Sequence, residues 1–296
     1  MGRATVIDGA AVAATLRRRV AEVAVRLRGE IGSSPGLATV LVGDDPASQV
    51  YVRAKGRACA GAEIGAFDIR LPSEISEAGL AAEIERLNDD DRIDGVLVQL
   101  PLPQQIDPHR IVGTIDPAKD VDGFHPVNVG RLWSGLPTMV PCTPQGCLRL
   151  LRTVHGDLTG LTAVVLGRSN IVGKPLAALL IGADCTVTVI HSKTREAHEI
   201  ARRADILIAA AGQPRMVNAD WVRPGATVID VGISPAADAQ GHSRVVGDVN
   251  FASVSAVAGA ITPVPGGVGP MTIACLLLNT LLAAYRRRGL SEPHFC

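Results

Sequence analysis

Gly167–Pro175, GRSNIVGKP, follows the apolar run LTAVVL and leads into LAALLIGA, so it reads as the tight turn between a strand and a helix. That is the setting in which a glycine-rich turn cradles a diphosphate. Gly167 can take the turn, the small Ser169 lets the backbone approach a ligand, and helix N–H groups behind it face the anion. The spacing G-x-S-x-x-V-G is a variant of the dinucleotide fingerprint. A triphosphate-binding P-loop is excluded: five residues separate Gly167 from Gly173-Lys174, one more than that loop allows, and Pro175 stands where it needs Ser or Thr. Taken alone, the motif leaves open an ordinary strand-to-helix turn.

Outward from this stretch, apolar runs alternate with helical patterns, which predicts an α/β fold with parallel sheet and crossover helices. Strands are expected near Ala38–Val42, Ala66–Arg70 and Gly95–Gln99, and helices near Gly9–Arg28, Ala47–Cys59 and Glu77–Asn88. The proline-rich PLPQQIDP and GLPTMVPCTP bracket a segment with few strand signals and read as connections between two α/β lobes. A second lobe then opens with a helix near Pro144–Thr153. Strands follow near Ala163–Leu166, Thr186–Ile190, Ile206–Ala209 and Thr227–Val231, with short ones near Val245–Gly247 and Gly259–Ile261 completing it. The apolar helix Met271–Arg288 reads as returning to the first lobe. The expected domains are therefore 1–140 plus 271–296, and 141–270, with an active-site cleft between them.

The 296 residues are 47% hydrophobic, enough for one large or two ordinary domains. Twenty-nine basic side chains balance 29 acidic ones, so no nucleic-acid or membrane partner is expected. The late run ACLLLNTLLAAY contains Asn279 and is shorter than a membrane span of about 20 residues, so it reads as a buried helix. No apolar signal core precedes Asp8, and Val6 stands where a myristoylation signal beginning at Gly2 needs Ser or Thr, so a cytoplasmic location is expected. The six cysteines, Cys59, Cys142, Cys147, Cys185, Cys275 and Cys296, show no C-x-x-C spacing, and the seven histidines form no paired-ligand cluster. The cysteines read mostly as small core residues, and no metal is expected.

Tyr51 and Lys55 are four apart in YVRAKGRAC and share one helix face, behind a start at Asp44 or Asp45 with Pro46 in the first turn. Only Lys55, Lys119, Lys174 and Lys193 occur among many arginines. A partly desolvated lysine can lose its proton and act as a base where arginine cannot. A surface pair, with Tyr51 on a snorkelling stem, is the alternative. Gln99 ends the strand of DGVLVQLPLP, at the sheet edge where ligands collect, although a solvated Gln would fit there too. Asp122, in PAKDVDGFHP, is either a recognition carboxylate or the anchor of a local turn. At the end of the strand after the fingerprint, His191, Ser192, Lys193, Thr194 and Arg195 present no acid before Glu196, and Arg168 adds positive charge inside the turn. This pattern favours NADP over NAD, because cations and hydroxyls suit a 2′-phosphate and no carboxylate meets the ribose.

Together these pieces resemble the bifunctional methylenetetrahydrofolate dehydrogenase/methenyltetrahydrofolate cyclohydrolase family. VGDDPASQVYVRAK, DGVLVQLPLP, KDVDGFHPVNVGRL, PCTPQG, GRSNIVGKPLA, HSKT, GATVIDVGI, GDV and TPVPGGVGPMT follow the family's order and spacing over nearly the whole chain. The resemblance implies a Rossmann-type NADP-binding domain and a folate-binding catalytic domain. It further implies that Tyr51, Lys55, Gln99 and Asp122 line the folate site, Lys55 being the main catalytic residue and Asp122 holding the pterin. Gly167, Arg168, Ser169, Ser192 and Ile233 would contact NADP, and Pro263, Gly266 and Gly267 would border the substrate. It implies one-carbon metabolism leading to purine biosynthesis, a folate substrate and a homodimer. CAGAEIGA departs from the family, which usually has a glycine-isoleucine pair there, so the loop after the Tyr51–Lys55 helix is expected to differ in shape. Formate ligation is not expected, since the extra domain and P-loop of trifunctional relatives are lacking. Two other readings stay open: a monofunctional, NAD-using dehydrogenase, and a noncatalytic cofactor-binding scaffold, against which the joint retention of Tyr51, Lys55, Gln99 and Asp122 counts.

Overall fold

The computed structural model describes residues 3–237 and 243–295; Gly2 and Cys296 lie outside them. The chain divides into two compact units, one comprising Ala14–Cys142 with the segment from Ile273, the other Thr143–Thr272 with the N-terminal segment through Ala13.

In the first unit a three-stranded parallel sheet has the order β3-β2-β4, with β2 at Gly36–Val42, β3 at Gly65–Leu71 and β4 at Gly95–Val98. Central β2 is buried along its whole length, and its apolar run without alternation is what a parallel strand covered on both faces requires. Ala38, Val40 and Val42 pack with Val96 and Val98 against Leu80, Ile84 and Leu87 of α3 (Glu77–Asp89). Ser76 starts α3 by accepting a hydrogen bond from Gly79 N–H, as an N-cap serine does. Two short helices, α4 (Pro108–Thr114) and α5 (Pro126–Trp133), occupy the segment between the proline-rich stretches, where no element was expected. Pro108 and Pro126 stand at their first turns behind Asp107 and His125, which cap them, so these prolines begin helices instead of marking loops. The long α1 (Gly9–Ile31) crosses the boundary between the units at Ala13.

The other unit holds a six-stranded sheet, every pairing parallel, in the order β1-β11-β8-β7-β5-β6. Its strands are β1 (Thr5–Val6), β5 (Thr162–Leu166), β6 (Thr186–Ile190), β7 (Ile206–Ala209), β8 (Thr227–Asp230) and β11 (Ala260–Ile261). Chain order reverses at β5: β6 lies on one side and β7 on the other, which makes the carboxyl ends of β5 and β7 a topological switch point. Two expectations are corrected here. Residues 1–140 do not form one continuous part of the first lobe, because β1 pairs with β11; two residues are too few to show a period. The strand at Val245–Gly247 does not complete this sheet. Ser243–Val246 is β10 and pairs antiparallel with β9, Ser234–Ala237, in a separate ribbon.

The last helix, α10, runs Val268–Arg287, longer than the apolar run that announced it, and by length and composition alone could cross a membrane. It is mostly buried. Asn279, inside its apolar run, donates from Nδ2 to the carbonyls of Val121 and Val140, both at 2.8 Å, so its amide is satisfied within the protein core. At the far end Arg287 and Arg288 donate to Oδ1 of the fully buried Asp94, at 2.8 and 2.6 Å, while Gly36 N–H donates to Oδ2 at 3.0 Å.

Candidate active site

Tyr51, Lys55 and Gln99, three of the candidate site residues, lie on the segments that follow the carboxyl ends of β2 and β4. Helix α2 (Pro46–Ala60) starts where Asp45 accepts a hydrogen bond from Ser48 N–H at 2.7 Å, with Pro46 in the first turn, which settles the capping residue as Asp45. Lys55 Nζ donates to Gln99 Oε1 at 2.9 Å. The Gln99 amide is oriented from both sides: its backbone N–H donates to Val40 O at 2.8 Å and its Nε2 to Leu100 O at 2.7 Å, which turns the oxygen toward Lys55. Tyr51 stands one helical turn before Lys55 with 42% of its surface open, so its ring is available to a ligand.

Asp122 reaches the same end of the sheet by a different route. Val96 N–H donates to Lys119 O at 2.7 Å and Val96 bridges Asp120 in parallel, so the chain runs beside β4 in the direction that leads to Gln99. Burial pushes the Asp122 carboxyl up to about 6, the neighbouring Asp120 adds to the rise, and the Lys55 charge opposes it. Asp120 is itself buried and raised by desolvation, although it accepts hydrogen bonds from His125 N–H and Asn128 Nδ2, both at 2.8 Å. Asp120 was missed in the sequence, where it reads as one more loop carboxylate. Cys59, one turn beyond Lys55, is buried, and burial and the nearby Asp68 push its thiol up to about 12, away from the reactive thiolate form.

The scarcity of lysine is a poor guide away from this helix. Lys119 is fully buried, but its Nζ donates to the carbonyls of Leu87, Asn88 and Asp90, at 3.1, 2.5 and 2.9 Å, and so closes the end of α3. Lys174 donates to Asn170 Oδ1 at 2.7 Å on the surface.

In the other unit the dinucleotide turn leaves β5 at the switch point. Gly167 has φ +126°, and a Cβ there would fall on the Ala210 carbonyl after β7; a Cβ at Gly173 would fall on the Gly167 carbonyl. Only glycine allows both approaches. Ser169 Oγ accepts from Val172 N–H at 3.1 Å and Gly173 N–H at 3.3 Å, and thereby braces the start of α7 (Gly173–Ile181). The N–H groups of Arg168, Ser169, Asn170 and Ile171 meet no protein acceptor among the described residues. Such a run of free donors fits a diphosphate. After β6, Thr194 N–H donates to His191 O and His191 N–H to Thr194 Oγ1, closing a turn that leaves Ser192, Lys193 and Arg195 exposed. Arg168 is exposed too, so cations and hydroxyls for a 2′-phosphate are present on this unit. Ile233 is exposed just past β8. Pro263, Gly266 and Gly267 follow β11 in a loop held by Ala10 N–H on Gly266 O at 3.0 Å, and a Cβ at Gly9 would fall on Gly267 O.

Sequence reading also missed a knot of two buried acids beneath these loops. Asp230, at the end of β8, accepts from Gly232 N–H and Asp248 N–H, both at 2.9 Å, and from Val249 N–H at 3.0 Å. Asp248 accepts from Ala211 N–H at 2.6 Å and Gly212 N–H at 2.8 Å. Burial pushes Asp230 up to about 6 against its hydrogen bonds, and Asp248 adds to the rise. A cavity of about 330 Å³ opens beside the knot, with Arg215, Asp230, Asn250 and Val264 in its wall. The signals in the sequence were an acid closing the apolar run of VIDVGI and an acid after glycine in GDV.

Residues 7–122 match the family model for the tetrahydrofolate dehydrogenase/cyclohydrolase catalytic domain, and residues 141–288 that for its NAD(P)-binding domain. Bifunctional protein FolD 3 of Rhizorhabdus wittichii is 61% identical over 99% of this chain and 97% of its own length. Bifunctional protein FolD 2 of Paracoccus denitrificans is 60% identical over 98% and 96%. Among solved structures, the bifunctional FolD enzyme of Campylobacter jejuni superposes with a TM-score of 0.92 at 45% identity, covering 96% of this chain and 99% of that one. The Trypanosoma brucei methylenetetrahydrofolate dehydrogenase-cyclohydrolase, solved with NADP and an inhibitor, gives 0.93 at 42% identity over 98% and 100%. By both domain models and by these near-full-length identities, the chain belongs to the tetrahydrofolate dehydrogenase/cyclohydrolase family.

Proposed function

We propose that the protein oxidises 5,10-methylenetetrahydrofolate to the 5,10-methenyl form with NADP and hydrolyses that product to 10-formyltetrahydrofolate, with Lys55 as the acid–base residue of the hydrolysis. The observation that carries the assignment of Lys55 is its 2.9 Å hydrogen bond to Gln99 Oε1, in a site that also holds Asp122. When bound, NADP supplies the hydride acceptor. The oxidation asks the chain mainly for alignment, because the substrate's two flanking nitrogens stabilise the methenyl cation. Arg168 and Ser192, both exposed, would hold a 2′-phosphate, and the N–H groups of residues 168–171, which meet no acceptor among the described residues, would hold the diphosphate.

The hydrolysis asks for proton transfer. Water adds to the carbon between N5 and N10 and loses one proton, giving a neutral carbinolamine. Its hydroxyl then loses the second proton as the C=O forms and the bond from that carbon to N5 breaks with N5 gaining a proton, so that one proton is released overall. Lys55 moves these protons, Gln99 fixes its ammonium in place, and the open face of Tyr51 supports the substrate. Asp122, as an anion, accepts paired hydrogen bonds from the pterin's amino and ring N–H groups. The fixed Lys55–Gln99 pair favours the bifunctional reading over a monofunctional dehydrogenase, which needs no such proton carrier.

Cytoplasmic one-carbon metabolism serving purine biosynthesis is the proposed setting, with no nucleic-acid or membrane partner. A homodimer is proposed as well. β6 is an edge strand, and Val189 on it and Ile181 before it are 37% and 51% exposed, the kind of apolar edge that a second copy covers.

The test of the chemistry is Lys55→Gln, which keeps polarity and removes the titratable amine. Cyclohydrolase activity is expected to fall by at least about 10²-fold, dehydrogenase activity to survive better, and methenyltetrahydrofolate to accumulate in a two-wavelength assay of NADPH and methenyl absorbance. Loss of hydride transfer with hydrolysis intact, in a variant that folds and binds NADP, would overturn the role of Lys55.

A further inference from the structure

We propose that Asp248 is a positioning residue for the cofactor: its carboxylate, interlocked with Asp230, sets the loops after β7 and β8 on which NADP rests. The inference builds on the assignment of NADP to the turn at Gly167, the exposed end of β6 and Ile233. Asp248 is fully buried, and its Oδ2 is the acceptor for two consecutive N–H groups, Ala211 at 2.6 Å and Gly212 at 2.8 Å. Those residues continue from Ala210, whose carbonyl occupies the place a Cβ on Gly167 would take. Asp248 therefore fixes the shelf against which the dinucleotide turn is packed.

The same residue reaches the loop after β8. A Cβ on Gly232 would fall on the Asp248 carboxylate, so the chain passes directly against it one residue before Ile233. Asp230 completes the interlock from the other side, since it accepts from Gly232 N–H and from Asp248's own N–H, both at 2.9 Å, while its backbone N–H donates to Thr262 Oγ1 at 2.8 Å. Asp248 Oδ1 is buried with no hydrogen-bond partner among the described residues. A buried carboxylate oxygen left unpaired is a standing cost. What the position requires is one acceptor oxygen that two consecutive loop N–H groups share, which an acid or an amide can supply and an apolar side chain cannot.

The experiment compares Asp248→Ala and Asp248→Asn in the full chain, with cyclohydrolase activity on supplied methenyltetrahydrofolate, which needs no NADP, as the readout of an intact fold. Loss of both hydrogen bonds in the Ala variant is expected to raise KM for NADP by at least about tenfold, with kcat much less changed and cyclohydrolase near its original level. The Asn variant keeps an acceptor oxygen for Ala211 and Gly212 and is expected to restore most of the NADP affinity. In the unaltered protein, NADP is expected to slow amide hydrogen exchange at Ala211 and Gly212, a readout that stands even where the Ala variant does not fold. Unchanged exchange, unchanged KM for NADP in Asp248→Ala, or parallel loss of both activities in Ala and Asn would overturn the proposal. An Arg168→Ala, Ser192→Ala double variant separates the two levels. If it leaves KM for NADP unchanged, the cofactor assignment falls and takes the proposal with it; if it raises KM while Asp248→Ala does not, the proposal alone falls.

Discussion

Replacing Asp122 by Asn is expected to make the protein more stable and less active, with a pH dependence that follows from the carboxyl group's surroundings. An exposed aspartate titrates near 3.8, whereas burial carries Asp122 to about 6 in the folded chain. A rise of about two units corresponds to about 3 kcal/mol against holding this charge in the folded state. Since the folded value lies above the unfolded one, the group's contribution to stability is fully present below pH 3.8 and is lost as pH rises through about 6. The amide has no charge to desolvate. The stability gap between variant and parent should therefore open between pH 4 and 6 and level off at up to about 3 kcal/mol above pH 7.

Urea unfolding of ligand-free protein at a series of pH values from 4.5 to 8 reads this directly, because constant differences in packing or hydrogen bonding shift the gap without tilting it. In parallel, kcat/KM for the folate substrate should rise with pH through about 6 in the parent, as Asp122 becomes the double acceptor the pterin needs. The Asn variant offers one acceptor and puts a donor opposite a donor, so folate turnover should drop in both reactions while NADP binding stays nearly intact. A stability gap that does not vary with pH would refute the desolvation argument. Normal folate kinetics in the Asn variant would assign Asp122 to loop structure.

Arg168→Ala with Ser192→Ala should raise KM for NADP far more than for NAD; equal constants for the two cofactors in the unaltered protein would show that these residues do not select the phosphate. Asp94→Ala removes the buried carboxylate that Arg287 and Arg288 share, leaving Arg287 with Ile93 O and the exposed Asp91 and Arg288 with Ala284 O, and leaves Gly36 N–H without its carboxylate acceptor. It should lower the unfolding free energy by about 3 kcal/mol or more, as breaking a buried ion pair does, and a loss under about 1 kcal/mol would mean the cluster behaves as an exposed one.

What the sequence disclosed and what it concealed divide along a physical line. The buried strands and the turn at Gly167 were legible because each is a local pattern: an apolar run, a glycine at a position where a Cβ would fall on Ala210, a cap one residue before Pro46. Gln99 and Asp122 could be singled out only by position at a strand end or in a connection. Their meaning came from pairings across 44 residues to Lys55 and from the parallel bridge at Val96. The failures are of the same kind. Lys119 has the same scarcity as Lys55, yet three backbone carbonyls surround its ammonium where Lys55 has one side-chain oxygen. Asp230, after an apolar strand, and Asp248, next to Gly247, look like any loop acids until the fold buries both and aims five loop N–H groups at them. A residue type announces what chemistry is possible, and its chain neighbours announce the local backbone. Which of four lysines can exchange a proton with a substrate, and which acids organise a cofactor loop, is decided by partners that sequence distance hides.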